Sequence, residues 1–171
     1  MRRLTLIGMP GSGKSVVGKI IATRLGWTFL DTDRCIEKRH GIPLQALIDQ
    51  VGDAMFRRLE EETILDIAIP DKTVVATGGS VVYSHEAMKY LASISAVVFL
   101  DAPMEAIRAH ILSEAPRGIV GMKIGGLEEL YQDRLPRYRQ YADFVVLFDF
   151  ETPDQAANRV LSELPGYRRT A

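Results

Sequence analysis

Near its amino terminus the chain commits itself to one kind of loop. The apolar run Leu4-Thr5-Leu6-Ile7 leads directly into Gly8-Met9-Pro10-Gly11-Ser12-Gly13-Lys14-Ser15. This is G-x-x-x-x-G-K-[ST] in the setting it requires, with a strand before it and a helix from about Ser15 to Leu25 after it. Gly8, Gly11 and Gly13 permit backbone angles closed to other residues, so successive N–H groups can converge on phosphate oxygens. The positive end of the following helix dipole adds to that preference for an anion. Lys14 can reach the β- and γ-phosphates, and the Ser15 hydroxyl can ligate Mg²⁺. The residues expected to touch the nucleotide are Gly11, Ser12, Gly13, Lys14, Ser15 and Val16. The chain therefore reads as a binder of a nucleoside triphosphate.

A length of 171 residues fits one domain with a sizeable core. A net charge of −1 argues against a nucleic-acid surface or an anionic membrane as partner, and Arg2-Arg3 and Arg168-Arg169 read as solvated ends. No apolar run is long enough to span a bilayer, and Pro10 with its polar neighbours breaks any signal-like segment. Cys35 is the lone cysteine, so an internal disulfide is impossible and a cytoplasmic location is the expectation. A packed helix position suits Cys35 better than a reactive one. His40, His85 and His110 lack metal-site spacing.

Short apolar runs alternate with longer helical patterns, the signature of βαβ units in a parallel sheet. Strands are expected at Leu4–Gly8, Thr28–Asp31, Thr73–Thr77, Ala96–Asp101 and Phe144–Phe148. Helices are expected near 15–25, 33–39, 53–69, 84–92, 103–113, 127–141 and 153–164. Thr152-Pro153-Asp154 is a strong start for the last. Two inserts interrupt the alternation. The first, from Gly41 to about Ile69, holds two helices where one crossover would suffice. The second, 114–126, carries four glycines with Arg117 and Lys123, and reads as a mobile lid over the phosphates.

Ligands of an open parallel sheet bind beyond the carboxyl ends of its strands. Those ends carry the phosphate loop, Asp31-Thr32-Asp33, Thr77-Gly78-Gly79-Ser80 and Asp101. Asp31 and Asp33 can divide two tasks, one supporting Mg²⁺ and the other holding a hydroxyl or taking its proton; capping by Asp33 is the plainer alternative. Asp101 competes with Asp31 for the metal-associated role, or caps the helix after Pro103. Gly78-Gly79 allows close approach of backbone N–H groups to a ligand, or is simply a tight turn. Arg57 stands in Phe56-Arg57-Arg58-Leu59-Glu60-Glu61, where pairing with Glu60 or Glu61 on an exposed helix face is one reading. Arg134 precedes Leu135-Pro136-Arg137-Tyr138. Two guanidinium forks of this kind suit a carboxylate.

Taken together, the loop, Asp31-Thr32-Asp33, Phe56-Arg57-Arg58-Leu59-Glu60, Thr77-Gly78-Gly79, Arg117 and Arg134-Leu135-Pro136-Arg137-Tyr138 resemble the shikimate kinase family over nearly the whole chain. The resemblance implies a three-layer α/β P-loop kinase fold: a five-stranded parallel sheet of order 2-3-1-4-5, helices on both faces, and a mobile lid. It implies a single domain over 1–171, with a substrate-binding insert at about 33–62 and the lid at about 114–126. ATP is the implied co-substrate and Mg²⁺ the implied metal, held by Ser15 with Asp31 supporting it through water. Lys14 and Arg117 would stabilise the transferring phosphoryl group, and Asp33 would hold the accepting hydroxyl. Arg57 and Arg134 would pair with the substrate carboxylate, with Gly78 and Gly79 lining the same subsite and Gly79 donating its N–H. The implied reaction is phosphorylation of shikimate in aromatic amino-acid biosynthesis. The partners expected are ATP and a small carboxylate-bearing substrate, without nucleic acid or membrane, acting on a monomer.

The chain departs from the family pattern at Asp53, where Glu is usual, and at Ser80, where a third glycine is usual. It departs again in the lid, Arg117-Gly118-Ile119-Val120, and at Ala109-His110 near the expected adenine site. Homoserine, gluconate or a nucleoside monophosphate remain alternative acceptors. A GTPase switch lacks support, because the single asparagine, Asn158, precedes Arg159 rather than lysine. A nucleotide-binding regulator without chemistry would have no use for Asp33, Arg57 and Arg134 together.

Overall fold

Five short strands lie parallel in one sheet of order β2-β3-β1-β4-β5: β1 (Arg3–Ile7), β2 (Thr28–Asp31), β3 (Thr73–Ala76), β4 (Ala96–Asp101) and β5 (Phe144–Leu147). The structure is a computed structural model and describes residues 2–113, 119–121, 126–148 and 152–164. Among these residues, seven α-helices connect and flank the strands: α1 (Lys14–Leu25), α2 (Thr32–His40), α3 (Leu44–Asp66), α4 (His85–Ile94), α5 (Met104–Ser113), α6 (Gly126–Tyr141) and α7 (Pro153–Glu163). The sheet order and the helices on both faces are those the family resemblance implied.

β1 is central because it can afford no exposed face. Leu4, Leu6 and Ile7 are wholly buried, and the Thr5 hydroxyl is satisfied by Ser95 Oγ at 2.7 Å. Its neighbours are β3 (Leu4 opposite Val74) and β4 (Leu4 opposite Ala96), whose near-continuous apolar runs suit a sheet covered on both sides. α1 packs against α7 and β3, while α4 and α6 pack against β4. Each fully buried aliphatic side chain in these layers is worth about 1.5–3 kcal/mol. A smaller apolar cluster, Ile36, Leu47, Ile48, Phe56 and Val120, forms apart from the main core beneath the insert.

The insert differs from expectation in one respect. The helix expected near 53–69 starts at Leu44 and runs to Asp66, bending at Gly52, whose φ of 75° and ψ of 165° are non-helical. The two helices of the insert are thus the halves of α3 on either side of that bend. At the far end of the chain Thr152 and Gln155 form a capping box with Pro153 at the first turn, as the sequence indicated.

Candidate active site

A cleft of about 930 Å³ opens along the carboxyl ends of the strands, lined by the phosphate loop, Asp31, Asp33, Thr77 to Ser80, His110, Val120 and Arg134 among others. At its centre the loop turns into α1 through Gly13, in the left-handed region at φ 85°. No side chain caps α1 and no acid stands in its first turn, so its leading N–H groups face the cleft as an anion site. Gly8 is required for space: a β-carbon there would stand 2.7 Å from the Leu100 carbonyl oxygen. Lys14 is buried, and its ammonium donates to the carbonyls of Gly8 (2.9 Å) and Met9 (2.7 Å). His110 Nδ1 lies 2.7 Å from the Gly11 carbonyl; a carbonyl only accepts, so Nδ1 carries the proton.

The two aspartates at the end of β2 divide their work, though capping falls to Asp31 rather than Asp33. Asp31 Oδ1 accepts the Asp33 N–H at 3.1 Å and caps α2, while Oδ2 accepts the Ser15 hydroxyl at 2.8 Å. Asp31 is therefore tied to the motif serine. Asp101 is occupied elsewhere: it accepts from Tyr131 at 3.1 Å and lies 3.5 Å from the Arg139 guanidinium. Among the described residues, no group of three or more His, Cys, Asp or Glu side chains could hold a metal ion alone. Ser15 and Asp31 are hard oxygen donors of the kind that share Mg²⁺ with phosphates and water.

On the acceptor side, Gly78 donates its N–H to Thr32 Oγ1 at 3.2 Å. It is glycine because the carboxylates of Asp33 and Glu60 both crowd the place a β-carbon would take. Glu60 is not half of an exposed pair with Arg57; it is fully buried and accepts the Ser80 hydroxyl at 2.6 Å. Burial pushes its carboxyl up to about 7; the Asp33 charge adds to this, against the Ser80 hydrogen bond and the Arg134 and Arg57 charges. Tyr138, wholly buried, donates to the Gly79 carbonyl at 2.6 Å and stacks on Phe99, and burial raises its phenol.

Arg134 has no exposed surface, yet it lines the cleft. Nη2 donates to the Val120 carbonyl at 2.7 Å, while Nη1 has no hydrogen-bond partner and lies beside Gly79. Arg57 does not line the cleft; its guanidinium lies over the Tyr83 ring at 3.9 Å, with Arg134 at 5.3 Å from the same ring. Tyr83, the organiser of both arginines, carried no sequence signal, because Ser80-Val81-Val82-Tyr83 matches no motif. Asp53 accepts the Gly121 N–H at 2.9 Å. Arg117 and most of the expected lid lie outside the described residues. Cys35 is half-buried and its thiol is raised, first by burial and then by Asp31, which suits packing rather than reactivity.

Comparison with known proteins agrees with this arrangement. The family model described as shikimate kinase matches residues 10–165. A shikimate kinase of Paracidovorax citrulli is 43% identical over 146 residues, covering 82% of this chain and 79% of that protein. One from Thermodesulfovibrio yellowstonii is 34% identical, with 95% of each covered. Among solved structures, shikimate kinase from Acinetobacter baumannii in complex with shikimate aligns with a TM-score of 0.85 at 25% identity, covering 95% of this chain and 92% of that one. With a phosphate loop, a paired-aspartate strand end and a buried arginine on one rim, and relatives matched over nearly full length, the chain belongs to the shikimate kinase family.

Proposed function

We propose that this protein transfers the γ-phosphoryl group of ATP to a ring hydroxyl of shikimate, giving shikimate 3-phosphate. The observation that carries the reading is Arg134: a wholly buried guanidinium in the wall of the cleft with Nη1 uncommitted beside Gly79. A cation so withdrawn from water calls for an anionic ligand, and a planar fork suits a carboxylate. Arg57, set back from the cleft on the same Tyr83 ring, would add a second positive charge to that subsite.

The nucleotide phosphates would lie across the N–H groups of Gly11 to Val16, with Lys14 exchanging the carbonyls of Gly8 and Met9 for phosphate oxygens. Ser15, with Asp31 behind it, would hold Mg²⁺, whose charge would offset that of the phosphates. Asp33 stands at the first turn of α2, where its carboxylate would align the attacking hydroxyl and accept its proton as the new P–O bond forms. Arg117 would join Lys14 on the transferring group. Residues 1–171 act as one kinase domain in this reading, with 33–62 forming the acceptor side and 114–126 the lid.

An ADP-release assay over shikimate, homoserine, gluconate and nucleoside monophosphates tests it. Shikimate should give ATP-dependent turnover that Lys14→Ala abolishes. Turnover with homoserine or gluconate alone overturns the acceptor and keeps the reaction. ATP binding without turnover on any acceptor overturns the kinase reading in favour of a regulator.

A further inference from the structure

We infer that Asp53 is a positioning residue for the acceptor, holding Arg134 in place through the backbone of Val120 and Gly121. The inference deepens the proposed function and rests on it. The orientation of Arg134 is set by the bonds of its guanidinium. Nη2 donates to the Val120 carbonyl at 2.7 Å, and Nε makes only a long contact of 3.4 Å with the Tyr83 hydroxyl. Val120 O is therefore the closest acceptor on the guanidinium, with the Tyr138 hydroxyl also beside it, and it directs Nη1 toward Gly79.

Residues 119–121 belong to no helix or strand, so the position of the Val120 carbonyl depends on what grips this segment from outside. Among the described residues Ile119 packs against the main core, and two further contacts grip the segment. The Val120 side chain is buried among Ile36, Leu47, Ile48 and Phe56, and the Gly121 N–H donates to Asp53 Oδ2 at 2.9 Å. Apolar packing fixes depth but leaves the peptide free to rotate, whereas a charge-assisted hydrogen bond one residue along fixes the direction of the carbonyl.

Asp53 is itself well anchored. It follows the bend at Gly52 and opens the second half of α3, where Asp53, Phe56, Arg57 and Glu60 recur at helical spacing along one face. That face carries the grip on Gly121, an apolar anchor for Val120, the cation over Tyr83 and the acid held by Ser80. The bend at Gly52 thus aims four contacts at the acceptor subsite at once. Asp53 is also a position where this chain carries the shorter acid.

Calorimetric titration of shikimate into the nucleotide-free protein, with Michaelis constants for both substrates, tests the inference. In Asp53→Ala the Kd and KM for shikimate should rise about tenfold, the effect of losing one charge-assisted hydrogen bond, while the KM for ATP stays within about twofold. Asp53→Asn keeps an accepting oxygen and should recover most of the affinity. A merely structural role would lower the melting temperature and shift both substrates together. If Asp53→Ala does not fold, Asp53→Asn compared with Val120→Ala makes the same test, the latter weakening shikimate and not ATP. Unchanged shikimate affinity in Asp53→Ala, beside a wild type that binds shikimate, overturns the positioning role alone. A wild type that binds no shikimate overturns the acceptor assignment and this role with it.

Discussion

Replacing Gly78 with alanine should separate chemistry from nucleotide binding. Gly78 has a φ outside the left-handed region, so the cost of a side chain there is one of space. The new β-carbon would stand 2.7 Å from Asp33 Oδ1, against an ordinary contact of 3.4 Å or more, and closer still to Glu60. Both carboxylates must give way, Glu60 within its buried pocket and, on the cleft side, Asp33. Asp33 must retreat by about 0.7 Å, and misplacement on the order of 1 Å costs roughly a hundredfold in rate when a group orients the attack. Overpacking of this kind costs about 1–3 kcal/mol, and each kcal/mol lowers the melting temperature of a domain this size by about 2–4 °C. Steady-state kinetics on folded Gly78→Ala should show kcat reduced between about thirtyfold and a hundredfold, with the KM for ATP unchanged. A kcat within about threefold of wild type would refute the placement of Asp33 against the hydroxyl.

Two further expectations concern the groups beneath the cleft. Glu60 keeps its proton in the folded state to about pH 7 but releases it near 4.5 when unfolded, so the folded protein binds the extra proton between those values. Stability therefore falls as pH rises through that window, by up to about 3 kcal/mol, and Glu60→Gln should gain on wild type over the same range. Parallel curves of melting temperature against pH for the two proteins would contradict this. Tyr138→Phe strips the donor from the Gly79 carbonyl and should cost about 1–3 kcal/mol in denaturant unfolding; a loss under about half a kcal/mol would show that water replaces it.

The elements that recur by short-range rules were legible in the chain. The strands were recognisable as apolar runs, the phosphate loop by its glycines and lysine, and α7 by its capping box. Their convergence on one rim followed from parallel topology alone. What could not be read depends on distant partners. Nothing local marks Glu60 as buried, because its partner Ser80 lies twenty residues away. Asp33 read as the plainer helix cap, whereas it is Asp31 that accepts the Asp33 N–H, and through its other oxygen the Ser15 hydroxyl reaching across from α1. Gly52 looked like a boundary, but apolar packing on both sides carries α3 through the bend. Arg57 stood out in the sequence as a candidate carboxylate partner, but its seat on Tyr83 did not, since a cation–π contact leaves no spacing rule in the sequence.

The central place of β1 has a consequence for how the chain must be made. Its partners are Thr73–Ala76 and Ala96–Phe99, and the loop that follows it closes against Leu100. The nucleotide loop thus leaves the ribosome well before the strands that wall it. At about 5–20 residues per second, the largely apolar β1 waits roughly 5–20 seconds before β4 can pair its second edge. During that interval its open backbone is a template for other nascent chains, the hazard that any long-range parallel sheet carries. Slower translation between residues 8 and 101 should raise the aggregated fraction, while a stall beyond β4 should leave it unchanged. A product truncated before Ala96 would carry the entire phosphate motif and no means of holding a phosphate.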